Sequence, residues 1–120
     1  GKTQDEVTSE HATDPTSVLL SSSLWEGVDL KDDLSRFQII AKVPYPNYTE
    51  KRTKAKMSKF PSWYTSQTLT KILQGFGRSI RSDDDWAKTY VLDTAVNNVF
   101  FKGQPMIPKA YYDVLGMDEV

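Results

Sequence analysis

The fold is decided by residues 69–81, LTKILQGFGRSIR. At roughly 100° per residue, its apolar side chains fall on one side of a helix, namely Leu69, Ile72, Leu73, Phe76 and Ile80. The polar residues Gln74, Arg78 and Arg81 stand at i, i+4 and i+7, which places them within roughly 60° of one another on the opposite side. The stretch therefore predicts a helix, over about residues 66–81, with a buried apolar side.

Two glycines inside this helix, Gly75 and Gly77, point to a special role for it. Each costs about 1 kcal/mol relative to alanine, so the helix is expected to approach another backbone or a ligand closely. A surface helix with two solvated arginines is the alternative, and the glycines favour a rigid polar face turned toward an anion. Arginine suits a polyphosphate because its planar fork donates two parallel hydrogen bonds and its charge is permanent.

Strands and helices alternate along the rest of the sequence. Three short apolar runs predict buried strands of a parallel sheet, at residues 17–22, 36–43 and 89–92. Further helices are expected at about 4–13, 49–59 and 108–115, each ending near a proline or glycine. This alternation predicts an α/β fold in a single domain spanning residues 1–120.

Composition excludes several classes of protein. The chain has 120 residues, a net charge of −1 and no cysteine, so this segment carries no disulfide, thiolate zinc site or iron–sulfur cluster. No stretch approaches the roughly 18 consecutive apolar residues of a membrane span, and the first residues lack the apolar run of a signal peptide.

Basic residues are concentrated at 42–59 against a single acid, Glu50. They are Lys42, Lys51, Arg52, Lys54, Lys56 and Lys59. Two interpretations stay open, a solvated helix face and a phosphate-binding surface. Trp63 and Tyr64 could stack on bases, although aromatic residues beside a proline more often belong to the core.

Two motifs resemble those of a known family. QGFGRSIR at 74–81 resembles motif VI of superfamily-two helicases, a Gln-x-x-Gly-Arg-x-x-Arg pattern. SSSLWEGVDL at 21–30 resembles motif V of the DinG and XPD-like DNA helicases. IIAKVPYPN at 39–47 and DDDWAKTYVLDTA at 83–95 are similar to that family in the same order. The resemblance therefore covers most of the chain, from about residue 17 to residue 115.

The resemblance implies a RecA-like, P-loop NTPase-like three-layer domain with a mainly parallel sheet. The chain would be the C-terminal portion of the second motor domain, truncated at its N-terminus. Arg78 and Arg81 would act as arginine fingers that reach the γ-phosphate of ATP across a cleft. Gln74 would support them, and Gln74 and Gly77 would belong to the residues that bind ATP and couple it to the motor.

Motif V is expected to couple the nucleotide to DNA through Glu26, Gly27 and Asp29. Asp29 would either orient motif VI or meet the nucleotide, and a solvent-facing turn is the alternative. Trp25 is expected in the core or an interface. DNA contacts would come from Ser21, Ser22 and Ser23 of motif V. The basic residues Lys51, Arg52, Lys54 and Lys56 could add contacts to phosphates, with a solvated helix face as the alternative.

The family's phosphate-holding motifs do not occur in these residues. Gly1-Lys2-Thr3 spells the end of a Walker A loop but lacks its upstream glycine and strand, and there is no DEAH-type acid pair. ATP with Mg²⁺ would thus be bound mainly by a first RecA-like motor domain in cis, and this fragment alone is expected to be inactive. Any iron–sulfur cluster would lie outside the chain.

No metal site is expected. His11 is a lone histidine, and the consecutive acids Asp83, Asp84 and Asp85 cannot all point at one ion. The expected partners are ATP, single-stranded DNA or a duplex junction, and the first motor domain, with no membrane. The absence of cysteine fits an intracellular protein, cytoplasmic or, in a eukaryote, nuclear. The alternative function is a non-catalytic nucleic-acid-binding or scaffold module of RecA-like fold.

Overall fold

The structure, a computed structural model, describes residues 1–22, 35–76 and 86–116, with the side chain of Val114 left out. The helices are α1 (Gln4–Thr13), α2 (Lys51–Lys59), α3 (Pro61–Phe76), α4 (Ala95–Gly103) and α5 (Tyr112–Leu115), and the strands are β1 (Phe37–Ile40) and β2 (Lys88–Val91). Two short 3₁₀ turns, Gln104–Met106 and Lys109–Tyr111, follow α4. The chain divides into unit 1, Gly1–Ile39 with Gln74–Tyr90, and unit 2, Ile40–Leu73 with Val91–Val120.

α1 begins with a capping box. The Thr3 hydroxyl accepts a hydrogen bond from the Glu6 N–H at 3.3 Å, and the Glu6 carboxylate accepts one from the Thr3 N–H at 2.7 Å. These bonds satisfy N–H groups that a helix start otherwise leaves without partners. The helix ends at Thr13, before Asp14 and Pro15, as the sequence predicts. No residue of α1 is buried, so its caps rather than a core define it.

β1 and β2 pair as parallel strands. The Lys88 N–H donates to the Arg36 carbonyl at 2.9 Å in unit 1, and the Leu92 N–H donates to the Ile40 carbonyl at 3.0 Å in unit 2. Donor and acceptor advance together by the same number of residues, which defines a parallel register. The second and third apolar runs of the sequence are thus confirmed as strands of a parallel sheet.

These strands are less buried than the sequence predicts. Phe37 and Ile39 of β1 and Tyr90 of β2 are largely exposed, whereas Ile40 is buried. Because successive side chains of a strand point to opposite faces, the exposed residues of β1 share one face. The prediction of fully buried strands is wrong for that face.

The expected strand at residues 17–22 is also wrong. The segment has no strand assignment, and Val18 and Leu20 are 82% and 87% exposed. A strand requires a neighbouring backbone to pair with, and the sheet in the described part of the chain consists of β1 and β2 alone. An apolar run in the sequence is therefore not sufficient to predict a strand.

α3 carries the core of unit 2. Leu69, Ile72 and Leu73 are buried along one of its sides. The other buried apolar residues of the unit are Ile40, Val43, Val96, Val99 and Ile107. The predicted apolar side is confirmed for the three α3 residues and for Phe76, while Ile80 lies outside the described residues.

α3 begins at Pro61, earlier than the predicted start near Ser66. Proline suits the first position of a helix, because the N–H that it lacks has no partner there in any case. α2 ends at Lys59, close to the predicted limits of 49–59, so Phe60 alone separates the two helices.

The sequence interpretation missed α4. Its buried residues Val96, Val99 and Gly103 follow helical spacing, but β-branched residues and two asparagines lower the local helix propensity. A Cβ atom added to Gly103 would lie 3.0 Å from Leu69 Cδ2. Glycine therefore allows α4 to approach α3 closely within unit 2.

The last predicted helix, at residues 108–115, is only partly α-helical. Pro108 precedes a 3₁₀ turn at Lys109–Tyr111, and α5 (Tyr112–Leu115) follows directly. Gly116 ends α5 in the left-handed conformation, at φ 64° and ψ 33°, which confirms the predicted stop.

Candidate functional site

The motif VI residues begin in the last described turn of α3. Gln74 is exposed, whereas its neighbours Gly75 and Phe76 are buried. This placement agrees with the predicted polar side, opposite the apolar side that anchors the helix. Gly77, Arg78 and Arg81 lie outside the described residues, so their positions remain predictions.

Motif V is described only at its first two residues. Ser21 and Ser22 are exposed, which is compatible with contact to a ligand. The other candidates from this motif lie outside the described residues: Ser23, Trp25, Glu26, Gly27 and Asp29. The same holds for the three consecutive acids at 83–85.

The basic residues of α2 are distributed around an exposed helix. Thr53 is buried and Met57 is half-buried, and together they mark the inward side. At roughly 100° per residue, the outward side carries Lys51, Arg52 and Lys59. Lys54 and Lys56 lie at the two borders between these sides. α2 contains no acidic residue, and the described part of the chain shows no ion pair for these cations.

Three of the lysines lie over aromatic rings. The Lys54 ammonium is 5.3 Å from the ring centroid of Tyr48, and that of Lys56 is 4.9 Å from the ring of Trp63. Lys59 lies over Phe60, at 5.7 Å. These distances fall within the range of cation–π attraction, about 6 Å. The two border lysines of α2 are therefore each paired with a ring.

The Tyr64 side chain packs within unit 2 and is not positioned to stack on a ligand. Its ring stacks on Tyr45 with centroids 5.5 Å apart and planes 8° from parallel, and its hydroxyl donates to the Pro46 carbonyl at 3.0 Å. Burial raises the pKa of Tyr64, and Tyr45 adds to the shift. The stack fixes the segment that precedes α2 against α3 within unit 2.

Asp93, which the sequence interpretation missed, joins two segments of unit 2. Its carboxylate accepts hydrogen bonds from the Val43 N–H and the Ala95 N–H, each at 3.0 Å. The bond from Val43, then that from Ala95 and the nearby charge of Lys42 hold the pKa of Asp93 below its ordinary value. The signal in the sequence was an aspartate after a strand and before a helix, a position favoured for capping.

No candidate metal centre emerges from the described residues. The His11 Nδ1 lies 2.6 Å from the Ser17 hydroxyl, so the ring takes part in a local hydrogen bond. Among residues 1–22, 35–76 and 86–116, no three histidine or acidic side chains come together as ligands. Within the same residues, no helix is long and apolar enough to cross a membrane.

Residues 1–108 match the family model described as the helicase C-terminal domain. The chain belongs to this family. Its α/β, RecA-like class is thereby confirmed, and the parallel pairing of β1 and β2 with helices between them agrees with it.

The chain is also similar to curated helicases, at low identity. It is 34% identical over 79 residues to "Probable ATP-dependent helicase YpvA" of Bacillus subtilis (strain 168), which covers 62% of this chain and 12% of the relative. It is 27% identical over 94 residues to "ATP-dependent DNA helicase chl1" of Schizosaccharomyces pombe, with 66% and 11% covered. The chain thus spans about a tenth of the length of these relatives. No solved structure matches it.

Proposed function

We propose that this chain is the C-terminal portion of the second motor domain of an ATP-dependent DNA helicase. It would supply motifs V and VI to an ATP site shared with a first RecA-like motor domain. The observation that carries the proposal is the family match over residues 1–108. The similar proteins, an ATP-dependent helicase and ATP-dependent DNA helicases, support the same enzyme class.

Arg78 and Arg81 would act on the γ-phosphate of ATP. The buried side of α3 supports this role, because it fixes the helix while Gln74 remains exposed on the other side. If the helix continues past Phe76, both arginines share the side of Gln74, at i+4 and i+7. Two permanent cations held there would stabilise the charge of the transferring phosphoryl group, an effect worth about 10³–10⁵ in rate.

Motif V would link the nucleotide to DNA. Glu26 and Gly27 would lie near the cleft, and Asp29 would either orient motif VI or contact the nucleotide. The exposed hydroxyls of Ser21 and Ser22, with Ser23, would contact single-stranded DNA or a duplex junction. As a DNA helicase, the whole protein would act on nucleic acid inside the cell.

The first motor domain would hold the triphosphate and its Mg²⁺. The phosphate loop and the acidic pair of such motors supply that chemistry. These 120 residues would then bind ATP weakly and would not hydrolyse it alone. An iron–sulfur cluster, if the helicase has one, would be bound outside this chain.

The test uses the motor in which this chain is joined to a first motor domain. Arg78→Ala and Arg81→Ala should each lower DNA-stimulated ATP hydrolysis by at least about 10³-fold, because each removes a cation from the transition state. Affinity for DNA should stay unchanged. Lys102→Ala, which removes an exposed cation from α4, is the matched control and should turn over normally.

Unchanged turnover in both arginine variants would contradict the proposal. If DNA binding persisted in such a protein, the exposed cations of α2 would favour the alternative, a nucleic-acid-binding module without catalytic partnership. Loss of both turnover and DNA binding on removal of a single arginine would also count against arginine fingers, because it would indicate a structural role.

A further inference from the structure

The outward side of α2 is a cationic ridge, formed by Lys51, Arg52 and Lys59. It stands opposite the inward residues Thr53 and Met57, so its charges face solvent. Helices that only need to stay soluble commonly mix both charges, whereas α2 has five basic residues and no acidic one. Among the described residues none of these cations has an acidic partner, which leaves the ridge open to an external anion.

Aromatic rings flank the ridge on both borders. Tyr48 lies beneath the Lys54 ammonium at 5.3 Å, and Trp63 lies beneath Lys56 at 4.9 Å. Tyr48 is 59% exposed, and no stacking partner for its ring occurs in the described part of the chain. An anion of phosphates alone would need only the cations, so the rings indicate a ligand that also has flat apolar faces.

We infer that α2 is a binding surface for single-stranded nucleic acid. Lys51, Arg52 and Lys59 contact its phosphates, the exposed ring of Tyr48 stacks on one base, and the half-buried ring of Trp63 offers its accessible part to another. The inference deepens the proposed function by adding a DNA site outside motifs V and VI, and it rests on that proposal for the nature of the polymer. It also changes the role expected of Lys54 and Lys56, since each of them covers, in the free protein, a ring that is to stack on a base.

An exchange of partners explains why lysines cover the rings in the free protein. When a strand binds, a base replaces the ammonium on the ring, and the ammonium moves to the adjacent phosphate. The lysine loses a weak cation–π contact and gains an ionic contact with a phosphate. The ring loses the lysine and gains a stacking contact with a base. A duplex offers phosphates but keeps its bases stacked on one another, so the rings select the single strand.

The first test neutralises the ridge. Lys51, Arg52 and Lys59 are changed together to glutamine in the 120-residue chain, and binding of a labelled oligothymidylate is followed by fluorescence anisotropy over about 50–200 mM salt. Affinity at low salt should fall by at least about tenfold, and the plot of log K against log salt should become shallower by about 2, because each lost phosphate contact removes about 0.7.

The matched control changes Lys88, Lys102 and Lys109 to glutamine. These exposed lysines lie elsewhere on the chain, and their removal gives the same net charge as the ridge variant. The control should bind like the unchanged protein. Equal loss in both triple variants would show that overall charge, not the ridge, attracts the strand, and would overturn the inference.

The second test removes a ring. Tyr48→Ala should lower affinity for the oligothymidylate by roughly tenfold with an unchanged salt slope, because stacking involves no ions. Phe101→Ala, at another exposed aromatic residue, is the control and should have no effect. No change in the Tyr48 variant would overturn the stacking role. If circular dichroism showed the ridge variant to be unfolded, two other measurements would test the inference. They are the affinity of the Tyr48→Ala variant and the dependence of binding on salt in the unchanged chain.

Competition distinguishes the polymer. Unlabelled single strands should displace the probe, whereas polyglutamate and a duplex of equal charge should displace it at least about tenfold less well. Equal displacement by either competitor would overturn the inference. Arg78→Ala and Arg81→Ala should bind the probe normally, so failure of the arginine fingers and failure of this surface produce different results.

Discussion

Replacing Gly103 with alanine would insert a methyl group into the contact between α4 and α3. Its Cβ would lie 3.0 Å from Leu69 Cδ2 and 3.5 Å from Thr65 Cγ2. Carbon atoms pack best at about 3.5–4.0 Å, so the Leu69 side chain has to move by about half an ångström. Leu69 is only 2% exposed, and its neighbours in the core restrict that movement.

Two effects oppose each other in this variant. Crowding of a packed core lowers the free energy of unfolding by about 1–3 kcal/mol. Alanine restricts the unfolded chain more than glycine does, which raises the free energy of unfolding by about 0.4–1 kcal/mol. We therefore expect Gly103→Ala to lower the free energy of unfolding by about 0.5–2 kcal/mol. Urea denaturation followed by circular dichroism of the helices measures it.

A double-mutant cycle tests the cause. Leu69→Ala alone should cost about 2–5 kcal/mol, because it leaves a cavity. It also removes the atom that Gly103→Ala crowds, so the second change should become neutral or stabilising in that background. The coupling between the two positions should be about 1 kcal/mol or more. Gly103→Ala with unchanged stability, or with the same cost in both backgrounds, would refute close helix approach as the role of Gly103.

Two further predictions concern Asp93 and Gln38. Asp93→Asn should lower the free energy of unfolding at about pH 6, because the pKa of Asp93 is lowered: its contribution is complete above the ordinary value of 3.8 and is lost as the pH falls through the lower folded value. Urea unfolding from about pH 6 to pH 2 should show the two proteins converging, and a constant difference would be inconsistent with this. Gln38→Leu should raise the free energy of unfolding by about 1 kcal/mol, because the buried Gln38 Nε2 has no hydrogen-bond partner in the described structure. Thermal unfolding measures it, with Gln38→Glu as a destabilised control, and a lower Tm for the leucine variant would argue against it.

Sequence predicted the elements whose signal is local and repeated. α3 shows an apolar period over several turns, and the same period explains why Leu69 and Ile72 are buried. α4 has that period too, but its asparagines and β-branched residues weaken the local preference, and burial against α3 outweighs it. Propensity is a weak guide wherever packing supplies most of the stability.

Two features that depend on distant partners were not predicted correctly. Residues 17–22 have the composition of a strand but no strand pairs with them in the described part of the chain. Asp93 has no local pattern that reveals its bond to Val43, which lies 50 residues away. Both features depend on which segments meet, and one sequence contains little information about that.

The candidate site also has features that the sequence predicted and one that it did not. The pattern of motif VI predicted that Gln74 lies opposite the apolar side of α3, and it is exposed there. The charges of α2 were also evident from composition. Their pairing with Tyr48 and Trp63 was not, because it requires the turn at Phe60 between α2 and α3 and the position of the segment before α2.

The large sequence separation between the segments that meet at the sheet also has a kinetic consequence. Val43 and Asp93 are 50 residues apart, and closing a loop of that length costs about 3.5 kcal/mol of chain entropy before any pairing compensates for it. α2 and α3 are separated by Phe60 alone and meet with almost no such cost. Contacts of short sequence separation form faster than those of long separation. During folding, α2 and α3, which bear the cations and Gln74, therefore assemble first. The strands β1 and β2 pair afterwards, when these helices have already formed.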